Sequence, residues 1–149
     1  LDTPVAYALD PRVCFLSDPA LDVTLVAVAD PRGTLGNFGF HPLVAEDAAA
    51  VIGETLSVIE HPGTEPKQVA LRGCQLVDVL DDFVHYSLGT TCMGSPGAPV
   101  FNDQWELVAL QHTAIPAVDA AGRPLTTDGA TWDPALPEDR LHVVAGEAL

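Results

Sequence analysis

Residues 90–102 read TTCMGSPGAPVFN, and they place a thiol (Cys92), a hydroxyl (Ser95) and an imino acid (Pro96) within one Gly-rich turn. A serine hydroxyl becomes a nucleophile only when an imidazole takes its proton. Five histidines are available: His41, His61, His85, His112 and His142. Ser95 directly precedes proline, which pushes it toward extended backbone, so it reads as a turn serine. His85 and His112 lie in strand-like runs, where hydrogen-bonded structural histidines are expected. The acid pairs Asp81–Asp82 and Glu138–Asp139 invite general acid–base chemistry, but sequence neighbours rarely face one substrate. They read as solvated turn acids. Cys14, Cys74 and Cys92 form no C-x-x-C and suit no zinc spacing. The run DAAGRPLTTDG reads as two Asp/Gly turns rather than a calcium loop. No metal or cofactor is therefore expected.

The elements that must position these residues are short strands. Apolar, β-branched runs occur at 23–28, 55–60, 67–71, 82–87, 98–102 and 106–112, separated by DPRG, HPGTEP, SPG and DAAGRP. Those separators are turn chemistry. The run AEDAAAVIGE offers one helical turn, limited by Gly53. Near the C-terminus, Pro137, the acids after it, and Leu141, Val144 and Ala145 at helical spacing predict a terminal helix. Several short strands with one closing helix predict a β-barrel.

Composition narrows the function classes. Among the 149 residues, 48% are apolar, enough for a core. Acidic side chains outnumber basic ones 21 to 6, giving a net charge of −15. That charge repels phosphate backbones and argues against nucleic-acid binding. No apolar run is long enough to span a membrane. Residues 1–15 lack the basic start and apolar block of a secretory signal, and the chain opens on Leu1 instead of Met. A processed product or a piece of something longer is expected. Three cysteines cannot all pair, so buried thiols in a reducing cytoplasm are expected, with a Cys14–Cys74 bridge left open.

Three phrases together resemble the trypsin/chymotrypsin-like serine peptidases, and in particular the bacterial V8-like, glutamyl endopeptidase-like type. LDVTLVAV resembles the acid strand, in which an aspartate opens an apolar run. VIEHPGTEPKQVAL resembles a strand–turn–strand with an HPxGxxK pattern. GSPGAPVFNDQWELVALQH resembles the nucleophile turn and the pocket strand behind it. The resemblance covers residues 13–149. It implies a mostly β, chymotrypsin-like fold: residues 1–35 as the end of a truncated N-terminal barrel, and 36–149 as the C-terminal barrel with its helix.

Carried over position by position, the resemblance implies Asp22 as the triad acid and Gly94 as an oxyanion-hole donor. The nucleophile position falls on Pro96. Proline has neither a hydroxyl nor a backbone N–H, so the attacking atom and one oxyanion donor are lost together. No histidine precedes Asp22, whereas the family's general base does. Thr91 matches a residue that binds the substrate carboxylate. Its partner position falls on Gln111, with His112 beside it on the opposite face. The expectation is a peptidase-derived domain without catalysis, retained for peptide or protein binding, with a partner chain or upstream segment completing the first barrel. The alternatives are a fragment of an active V8-like endopeptidase and an interaction module of a larger bacterial signalling or defence protein.

Overall fold

The computed structural model describes residues 5–42, 51–62, 65–87, 95–137 and 140–149. These fall into two compact units, Leu1–Pro42 and Leu43–Leu149. The AEDAAAVIGE helical turn lies largely outside the described residues.

The first unit is a hairpin with a short appendage. Strands β1 (Phe15–Asp18) and β2 (Val23–Val26) pair antiparallel, with Phe15 opposite Val26 and Leu16 opposite Leu25. Directly opposed residues share a face, so each face of the ribbon carries one apolar pair. A single 3-10 turn, Leu35–Phe38, follows. Asp30 fastens its start, accepting the N–H groups of Thr34 at 2.9 Å and Leu35 at 2.8 Å. Phe15, Leu16, Leu25, Phe38 and Phe40 are all exposed.

The second unit is a closed antiparallel barrel. Its strands are β3 (Thr55–Glu60), β4 (Gln68–Val79), β5 (Val84–Tyr86), β6 (Pro99–Phe101), β7 (Leu107–Pro116) and β8 (Val143–Ala148). Around the barrel the order is β3-β4-β5-β8-β7-β6, with β6 returning to β3. Closure leaves no free edge along these ladders. Alternate residues point inward: Leu56 and Val58 of β3, Cys74 and Leu76 of β4, Tyr86 of β5, Val100 of β6, Ala109 of β7 and Ala148 of β8 form one buried cluster. Burial pushes the Tyr86 hydroxyl well above its ordinary pKa, with neighbouring Cys74 and Glu60 adding to the shift. Cys14 is a free thiol, and Cys74 is buried in the barrel core.

Several elements differ from the sequence expectation: β1 lies outside the runs read as strands, and β7 runs on to Pro116. The run at 67–71 continues to Val79, because a bulge absorbs the irregularity that looked like a strand end. Arg72 adopts φ +49° there, and its N–H donates to Ser57 Oγ at 2.9 Å. The terminal helix is the larger correction. Residues 143–148 form β8, bonded to β5 on one side and β7 on the other. Helix propensity at that spacing is worth tenths of a kcal/mol per residue, and two ladders outweigh it.

The long β7–β8 connection contains both Asp/Gly turns. Asp119 Oδ1 accepts the N–H groups of Ala121 and Arg123, while Gly122 supplies φ +76°. Asp128 accepts from the Thr126 hydroxyl at 2.5 Å and pairs with Arg140 at 3.0 Å, while Gly129 supplies φ +85°. The backbone N–H of Arg123, followed by its side chain, holds Asp119 below the ordinary carboxylate pKa. The Thr126 hydroxyl leads the same effect at Asp128. A carboxyl depressed in the fold stabilises above its unfolded pKa and loses that contribution as pH falls through the folded value. Stability should therefore drop as pH falls below 3.8, the ordinary value. Thermal unfolding followed between about pH 5 and pH 2.5 tests this. Asp119→Asn, which keeps an acceptor for the turn, should flatten the slope; an unchanged slope would refute the assignment.

Candidate functional site

The residues 95–98 form a tight turn whose chemistry follows from two residue types. Proline at its second position presets φ, and glycine at its third accepts φ +82°, the combination of a type II turn. The turn closes through the Ala98 N–H to the Ser95 carbonyl at 3.0 Å. It is tied to β7 on both sides of Gln111: Gly97 N–H donates to the Gln111 carbonyl at 2.7 Å, and Gln111 N–H to the Ala98 carbonyl at 2.9 Å. The N–H groups of Gly97 and Ala98 are thus committed internally, and Pro96 has none. Ser95 Oγ is buried, without a hydrogen-bond partner among the described residues, and is not presented to solvent.

A cleft of about 450 Å³ opens beside this turn. One wall is residues 95–99. The other comes from the end of β3 and the loop into β4: Ile59, Glu60, His61 and Lys67. The walls meet because β3 pairs with β6, Ser57 opposite Phe101 and Val58 opposite Val100. Glu60 continues the row of Leu56 and Val58 to the cleft and is buried. His61 Nδ1 lies 3.2 Å from the Glu65 carbonyl. A carbonyl only accepts, so Nδ1 carries a proton and Nε2 of the neutral ring is left as an acceptor.

The other residues singled out from sequence are distributed as follows. Asp22 is exposed in the β1–β2 turn at φ +52°, a conformation aspartate tolerates better than most residues. It belongs to the first unit and Pro96 to the second. Gln111 is buried against the turn, with Oε1 unpartnered among the described residues. His112 takes the opposite face, where it joins a cluster. Glu147 Oε1 accepts from His112 Nδ1 at 3.2 Å, and Oε2 from His85 Nε2 at 3.1 Å. Both histidines are hydrogen-bonded, and neither lines the cleft. Thr91, Gly94 and Cys92 lie outside the described residues. Lys67 and His61 at the cleft were legible only as part of the HPxGxxK turn, which carries no chemical signal by itself.

The closed six-stranded antiparallel barrel, with a Gly-rich turn hydrogen-bonded to the strand behind it, defines a mostly β protein of chymotrypsin-like fold. The chain belongs to the trypsin-like peptidase domain family, whose model matches residues 6–110. It is also similar to y4fB, an uncharacterized protein of Sinorhizobium fredii, at 32% identity over 96% of this chain. The chain spans 24% of that protein's length. No helix among the described residues is long and apolar enough to cross a membrane.

Proposed function

We propose that this is a V8-like member of the family without peptidase activity, whose remaining work is to bind a peptide or protein. The observation that carries it is the turn at Pro96. Acyl transfer needs an attacking oxygen and N–H donors aimed at the developing oxyanion. Pro96 supplies neither, the next two N–H groups are bonded within the fold, and Ser95 Oγ is buried. Without a nucleophile, the cleft retains walls suited to holding an extended segment. The exposed Phe15, Leu16 and Leu25 of the β1–β2 ribbon further favour a covering partner chain or additional segment, since a two-stranded hairpin by itself is marginal in water.

The alternative, a piece of an active V8-like endopeptidase, is favoured by the greater length of y4fB. A histidine supplied from elsewhere would still meet Pro96. Fluorophosphonate labelling of the purified chain separates the two. The natural chain should remain unlabelled at concentrations that label an active serine peptidase to completion. Labelling at Ser95 would overturn the inactive assignment. A signal gained only in Pro96→Ser would trace the loss to that one position, and continued silence there would show that the loss extends beyond it.

A further inference from the structure

We propose that the cleft beside Pro96 is a carboxylate-recognition site, in which Lys67 holds the C-terminal or side-chain carboxylate of a bound peptide. This rests on the peptide-binding role above and assigns it a ligand chemistry. The first observation is the use of cations. The chain has six basic side chains against 21 acidic ones. Arg12, Arg72, Arg123 and Arg140 are each paired with an aspartate, at 3.2, 3.0, 2.7 and 3.0 Å. Arg32 lies over the Tyr7 ring, 5.3 Å from its centroid. Lys67, the chain's single lysine, has no carboxylate within ion-pair distance among the described residues, and it is an exposed residue lining the cleft. In a protein of charge −15, a cation not neutralised by its own acids is a selective feature of that cleft.

The second observation is the backbone at Pro96. With no N–H there and those of Gly97 and Ala98 already donating, this part of the turn has nothing left to offer a negative charge. Among the described lining residues, Lys67 carries the cationic side chain that can hold an anion entering the cleft. His61 Nε2 can accept an N–H from the ligand, and Ile59, Pro96 and Pro99 form an apolar shelf for its body. Glu60 is buried among the lining residues, whereas Lys67 is exposed at the cleft. One ammonium with apolar walls suits a singly charged carboxylate on a peptide, and the volume lies within the range of small-ligand clefts.

Titration calorimetry on the whole chain tests this with three N-acetylated tetrapeptides. These are Ala-Ala-Val-Ala with a free carboxylate, the same peptide amidated, and amidated Ala-Ala-Val-Glu. A carboxylate bound by Lys67 should bind about tenfold tighter than its absence, as expected for a hydrogen bond to a charged group. Lys67→Met, at an exposed position, should keep the fold by circular dichroism, erase that preference and leave the amidated alanine peptide unaffected. Tight binding of the free-carboxylate peptide alone identifies a C-terminus as the source; tight binding of the glutamate peptide as well identifies any peptide carboxylate. Equal affinity for acid and amide forms, or a preference surviving in Lys67→Met, overturns the site while peptide binding stands. If none of the three binds, the peptide-binding role falls with it.

Discussion

Gly146→Ala is expected to destabilise the barrel by about 3 kcal/mol, at the upper end of what overpacking a core usually costs. Gly146 lies in β8 opposite Tyr86 of β5. A Cβ at Gly146 would stand 2.6 Å from Tyr86 Cε2 and 2.7 Å from its hydroxyl oxygen. The ring cannot swing aside, because Tyr86 is fully buried within the barrel cluster. Its backbone is also held by ladders to β4 and β8. Urea unfolding measures the loss directly. Removing the ring in Tyr86→Leu should make the same alanine substitution far less costly, so the double-mutant cycle should show strong coupling. A Gly146→Ala chain within about 1 kcal/mol of the natural one would mean the ring does not press on this strand.

Leu56→Ala should cost about 2–5 kcal/mol, the transfer free energy of the lost methyl groups plus the cavity left behind. Leu56 is fully buried in β3, opposite Cys74 of β4 and within the central cluster. The barrel is closed, so its walls are constrained against collapsing into the void. Leu71 provides the control. It lies on β4 but is 63% exposed, and Leu71→Ala should change stability by no more than about 0.5 kcal/mol. Unfolding midpoints compared at constant slope distinguish these outcomes. Similar losses at both sites would show that the inward and outward faces of the barrel have been assigned wrongly.

The candidate site was legible in sequence to the extent that it is covalent. Pro96 lacks a hydroxyl and an N–H in any fold, and Gly97 beside it is the residue that accepts φ +82°. His112 could be assigned to the face opposite Gln111 from strand alternation, and its bond to Glu147 on that face agrees. His61 and Lys67 were not recognisable as neighbours of Pro96. About thirty residues separate them in the chain, and only the β3–β6 ladder brings the two stretches together.

The amino-acid sequence by itself determined the features that depend on a residue and its nearest neighbours. These are the β-branched runs that became β2, β3, β5, β6 and β7, the Asp/Gly turns at Asp119–Gly122 and Asp128–Gly129, and the chemical silence of Pro96. Tertiary structure alone decided that β4 runs on past Arg72, and that Val143–Ala148 is a strand although its spacing suits a helix. The physical reason is the same in both cases. Local preferences are worth tenths of a kcal/mol per residue. Closing a barrel satisfies backbone hydrogen bonds between segments far apart in the chain, so the partner strands of β8, and not its own composition, set its conformation.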